Sequence, residues 1–149
     1  MSNYGATGAQ AAVAAGYKTA VRVTGGTGGR TKLYDLLIGQ GGTPADNAVF
    51  WALMRLTAAG TDTAVVPISL DPADVASRAT AGENATAEAT YTAASELLEF
   101  SMNQRSSYRW VASPGGELVI PATAAAGIGA RIKSGAYTGS AEATIQFNE

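Results

Sequence analysis

Short apolar runs separated by turn residues organise this chain, and the clearest example is its last third, Pro114 to Glu149. There, Leu118 to Ile120, Ile128 to Ile132 and Ala141 to Phe147 are divided by Gly, Pro and Thr-Gly turns, and the final run alternates apolar and polar positions almost without exception. That period of two marks strands of an antiparallel sheet with one face buried. The same pattern occurs upstream. Tyr17 to Thr24 and Thr31 to Ile38 read as strands, the second with Tyr34, Leu36 and Ile38 on one face. Ala64 to Leu70 carries Pro67 and reads as an edge or bulged strand. Leu97 to Gln104 sets Leu98, Phe100 and Met102 against a mostly polar face, and Ser107 to Ala112 holds Tyr108 and Trp110.

The run Ala48 to Thr57 is apolar on both faces. Thr43, Pro44 and Asp46 form a helix-start signal, with Gly60 as a C-terminal cap. The flanking strand patterns favour a strand covered on both sides, either by its own sheet partners or by a neighbouring subunit. Asp71 to Ala87 reads as a long polar loop. The expected fold is all-β: about eight antiparallel strands in a jelly-roll-like sandwich. Residues 1–15 are rich in Gly and Ala and have little to bury, and Gly25 to Gly29 reads as a hinge. Two regions follow: a flexible basic arm over residues 1–30 and a β-sandwich over 31–149.

Charge sharpens that division. The chain has 149 residues and a formal charge of −2. Residues 1–32 hold Lys18, Arg22, Arg30 and Lys32 and no acidic residue, whereas the rest holds six basic and twelve acidic residues. The four basic residues are the candidates for contact with an acidic partner surface. Four charges so widely spread make a poor phosphate footprint, so no nucleic-acid partner is expected. No apolar run is long enough to span a bilayer, and no membrane partner is expected. No secretory signal is evident at the N-terminus, so synthesis in a host cytoplasm is expected.

Candidate chemistry is sparse. The chain contains no Cys and no His, which removes thiolate nucleophiles, zinc–thiolate sites and the commonest general base. GGTGGRTK lacks both the spacing and the following helix of a phosphate loop. Glu96 and Glu99, three apart on a strand, are expected on opposite faces, and Asp71 and Asp74 belong to a turn, so neither pair suggests an acid–base couple. With Glu83 the aspartates lack the dense oxygen spacing of a Ca²⁺ loop. Asn84-Ala85-Thr86 matches a glycosylation sequon without a secretory context. No catalytic residue, metal or cofactor is expected. Trp51, Tyr91, Tyr108 and Trp110 suit packing or subunit contact better than a sugar-stacking platform, and Arg105 and Arg109 flank the Tyr108 run.

Four segments carry a family resemblance: GGTPADNAVFWALMRLTAAGT, LDPAD, ELLEFSMNQRSSYRWVASPGGELVIPATAAAGIG and YTGSAEATIQFNE. Over about Lys32 to Glu149 the chain resembles small tailed-phage head proteins, the capsid decoration or cement proteins. The resemblance implies a jelly-roll-like sandwich, commonly a homotrimer, on the outside of a virion capsid, with the major capsid protein as partner and no enzymatic activity. Trp51, Leu53, Tyr108 and Trp110 are the expected subunit-interface residues. The alternative is a carbohydrate-binding adhesin or fibre module of a virion.

Overall fold

The computed structural model describes residues 1–137 and 139–149. Twelve strands are formed: β1 (Asn3–Gln10), β2 (Lys18–Thr24), β3 (Thr31–Gln40), β4 (Ala48–Ala58), β5 (Thr61–Val65), β6 (Ile68–Ser69), β7 (Thr80–Ala87), β8 (Thr90–Asn103), β9 (Tyr108–Val111), β10 (Leu118–Ile120), β11 (Gly127–Lys133) and β12 (Ala141–Asn148). They build two antiparallel sheets packed as a sandwich. The first runs β10-β3-β12-β1-β6, with β9 also paired to β3, and the second runs β5-β7-β2-β11-β4-β8.

The alternating runs become what they promised. In β12, Ala141, Ala143, Ile145 and Phe147 are buried between the sheets, while Glu142 is exposed. β4 is a strand, and both of its faces are buried. Val49, Trp51 and Leu53 enter the core between the sheets. Ala52, Met54 and Leu56 are buried on the opposite side. Their cover is not a neighbouring subunit but the chain itself: Tyr91, paired opposite Leu56, folds across this outer face. Pro67 divides the Ala64 to Leu70 run. β5 ends before it on an edge of the second sheet, and β6 begins after it on an edge of the first.

Four expectations change. The first concerns the arm. Residues 3–10 form β1, which lies between β12 and β6 and pairs with β12 over its whole length. Tyr4 and Ala6 are in the core, Tyr4 stacks on Phe147 at 5.6 Å, and its hydroxyl donates to the Val75 carbonyl at 2.9 Å. Residues 1–30 therefore supply one strand to each sheet rather than a separate arm. The segment lacks bulky side chains because it is tightly packed: a Cβ on Gly8 would lie 2.6 Å from the Glu83 Cβ and 3.1 Å from the Val21 Cβ. The Gly25 to Gly29 hinge is likewise a packed turn at its start, where Gly25 is buried and its N–H donates to the Ala126 carbonyl at 2.9 Å.

The second change is β7, which occupies half of the expected polar loop and lies between β5 and β2. Its buried alanines, Ala81 and Ala85, are too small to show as a hydrophobic period. Asn84 takes a φ of 51°, a left-handed conformation that Asn tolerates better than most residues. Third, a register shift where β3 meets Gln146 and Phe147 changes which residues of β3 face inward. Leu33 joins Leu36 and Ile38 in the core in place of Tyr34, which is half-buried. Fourth, the β8–β4 ladder shifts between Leu53 and Met54, so Glu99 pairs with Ala52 and Glu96 with Met54. Ala52 and Met54 share a face, so Glu96 and Glu99 share one too.

Candidate functional site

The predicted contact residues are dispersed by the fold. Lys18 and Arg22 lie on β2 in the second sheet, Lys32 lies on β3 in the first, and Arg30 is exposed in the connection between them. Arg22 is not available to a partner. Its guanidinium is paired with Asp62, side chains 10% and 8% exposed, and Nη2 donates to Asp62 Oδ1 at 2.9 Å. A pair this buried is costly to break, because the survivor is an uncompensated charge. The four residues do not form a basic strip.

The predicted subunit contacts fare similarly. Trp51 and Leu53 are each 1% exposed and belong to the core of their own subunit. Tyr108 is 40% exposed and its ring lies 4.4 Å from that of Phe100, while Trp110 is half-buried against the core. Of the candidate aromatics for a sugar platform, Trp51 lies in the core, Tyr91 and Trp110 are half-buried, and Tyr108 stays exposed beside Phe100.

Tyr91 shows the second arrangement. A Cβ on Gly129 would lie 2.1 Å from the Tyr91 Oη, so only the bare glycine backbone admits the ring. Around it, the Thr19 and Tyr91 hydroxyls share a hydrogen bond of 2.7 Å, Thr19 Oγ1 donates to Glu88 Oε2 at 2.7 Å, and the Arg131 guanidinium sits 4.0 Å above the Tyr91 ring centre. Arg131 also pairs with Glu88 at 3.5 Å. Burial pushes the Tyr91 phenol up to about 12. Tyr17 is also raised to about 12, by burial first and then by its hydrogen bond to Glu99, 3.0 Å away. Both phenols stay protonated through the neutral range. They act as hydrogen-bonding and cation–π clamps that fasten the start of β8 and the connection leading to it from β7 over the second sheet.

Two surfaces remain open. One is the outer face of the first sheet, where two shallow depressions of about 280 and 330 Å³ share Leu37 and Thr144. Arg109 Nε donates to both Asp35 carboxylate oxygens, at 3.0 and 3.1 Å, across its floor. The other is the crossover from β5 to the loop after β6. Val66, Ile68, Leu70 and Val75 are 76%, 66%, 52% and 71% exposed. This crossover is held firmly. Leu70 N–H donates to the Asn3 carbonyl at 2.8 Å, and the Glu149 carboxylate accepts from the Arg78 and Ala79 N–H groups at 3.0 and 2.7 Å. Asp71, read as a turn former, accepts from Ala73 N–H at 2.9 Å. Among the described residues no group of three or more acidic side chains is placed to hold a metal ion. In the sequence this crossover reads only as an edge or bulged strand at Pro67; that its aliphatics are exposed on both sides of the break is decided by the tertiary structure.

No family model matches the chain, and no curated protein or solved structure matches it.

Proposed function

We propose that this chain is a structural virion protein, a capsid decoration protein that binds the outside of a phage head and stabilises the shell of major capsid protein. The observation that carries the reading is the exposed aliphatic crossover at 66–75. Single exposed apolar residues are ordinary on a protein surface, but four on one short, well-anchored segment mark a place for another protein. The resemblance over Lys32 to Glu149 and the β-sandwich architecture support the same reading. Rigid anchoring suits a cement function, since a preordered surface loses little conformational freedom on docking. Trp51 and Leu53 lie in the core of their own subunit and do not supply the subunit contacts that the resemblance implies.

The test is co-sedimentation of purified protein with heads that lack it, followed by heating of the loaded heads. Saturable binding and a raised temperature of shell disruption are expected. Ile68→Asp, which places a charge in the exposed aliphatic segment, is expected to weaken binding at least tenfold, the scale of a lost interface anchor. Heads that take up no protein, or that take up wild type and Ile68→Asp alike, exclude this function for the crossover.

A further inference from the structure

Every sheet must end somewhere, and an edge strand carries a row of unpaired N–H and C=O groups that can accept another strand. Three of the edges here are closed or broken up. The β6 edge is two residues long, and beyond it the N–H groups of Ala9 on β1 and of Ala11 just after it donate to Glu83 Oε2 at 2.7 Å and Asn84 Oδ1 at 3.0 Å. β5 has five residues and a register shift between Thr61 and Thr63. β9 and β10 have four and three residues. The fourth edge is β8, with fourteen residues. Among the described residues it pairs only with β4; that ladder shifts register between Glu96 and Leu98 and again toward Thr90, but it is unbroken over the six residues from Leu98 to Asn103, and the strand contains neither Pro nor Lys. Leu98, Phe100 and Met102 are only partly buried along it.

We infer that β8 is a self-association strand that joins antiparallel to β8 of a second copy about a two-fold axis, extending the second sheet across the dimer. This inference does not depend on capsid binding. Charge selects the occupant and the direction. Glu96 and Glu99 stand toward one end of the free edge and the exposed Arg105 lies just past the other. A parallel neighbour would set acid against acid and Arg105 against Arg105, whereas an antiparallel copy brings unlike ends together. Residues that face each other must also share a face of the joined sheet. The register centred on Phe100 satisfies this: Phe100 meets its own copy, Leu98 meets Met102, and Glu99 meets Ser101. The half-buried apolar row is then completed, and no charge opposes a like charge. A two-fold contact of this kind is closed, so it stops at two copies.

Ser101 is exposed and offers a test that spares the core. Sedimentation equilibrium of the full chain is expected to show a concentration-dependent dimer. Ser101→Glu places two carboxylates opposite the two Glu99 side chains and is expected to raise the dimer dissociation constant about tenfold, while Ser101→Lys lowers it by a similar factor. Circular dichroism of both variants checks that the fold is kept. A monomer at every concentration, a trimer, or a dimer indifferent to the charge at position 101 overturns the proposal. A protein that stays monomeric yet loads onto heads would equally overturn it.

Discussion

The free edge of β1 and the free edge of β8 are chemically the same thing, a line of backbone amides and carbonyls with no neighbouring strand, yet the molecule treats them in opposite ways. On β1 the exposed amides are taken up. β6 covers Tyr4 and Gly5, and Glu83 and Asn84 reach across from β7 to accept from Ala9 and Ala11. A charged carboxylate facing the edge also repels an incoming strand. On β8, from Glu96 to Met102, no described side chain bonds to the backbone, and the ladder is unshifted from Leu98 to Asn103. Polar side chains were placed where pairing is to be prevented. On β8 the polar side chains leave the backbone between Glu96 and Met102 uncapped, and a half-exposed apolar row lies beside it, as the proposed pairing requires.

The severest way to break this contrast is to remove the closed side. Deleting residues 1–12 takes away β1, the Tyr4 and Ala6 core positions and the whole ladder to β12. The remainder is expected to lose its cooperative thermal transition, read by circular dichroism, whereas a dispensable arm would leave the transition in place. Glu83→Ala should be milder. It leaves the part-buried Ala9 N–H without its acceptor, which is expected to cost about 1–3 kcal/mol in urea unfolding and to open a second edge to association. Glu83→Gln keeps an acceptor and should recover most of the loss.

Alkaline titration separates the Tyr91 clamp from both edges. The Tyr91 phenol ionises near 10 in the unfolded chain and is raised to about 12 in the folded one. Between those values the unfolded state has lost its proton and the folded state has kept it, so stability is full below about pH 10 and falls as pH rises toward 12. Tyr91→Phe should flatten that decline in denaturant midpoints measured across the range, even though it lowers stability at neutral pH by losing the Thr19 bond. The smallest effect is expected at the open edge. Ser101→Glu should change monomer stability by no more than about 0.5 kcal/mol, the range of an exposed substitution, while still altering association.

Legibility from sequence followed side-chain size. The strands β4, β9, β10, β11 and β12 could be read because Val, Ile, Leu, Phe and Trp recur at strand spacing and Gly or Pro interrupts them. β1 and β7 escaped because, Tyr4 aside, their buried residues are small: Ala6 and Gly8 in one, Ala81 and Ala85 in the other. Such residues contribute by allowing close approach, and hydropathy does not register that. The two register shifts were equally hidden. They exchange Tyr34 for Leu33 in the core and bring Glu96 and Glu99 to one face, and nothing near either residue announces the change. The candidate sites suffered most. Arg22 read as a free cation until Asp62 was found beside it, and Trp51 and Leu53 read as an interface until the opposite sheet was in place.

By itself the sequence determined an all-β chain, most of its strands and the turns between them, because alternation and turn chemistry are local properties of a few consecutive residues. Only the tertiary structure decided which apolar faces are covered and which edges stay bare. Coverage depends on partners far apart in the chain, as when Tyr91 lies on Gly129 or Glu83 closes the edge of β1. The stretch from Pro114 to Glu149 revealed the kind of fold, and the surfaces left over after folding, the crossover at 66–75 and the edge of β8, carry the proposals about what the fold meets.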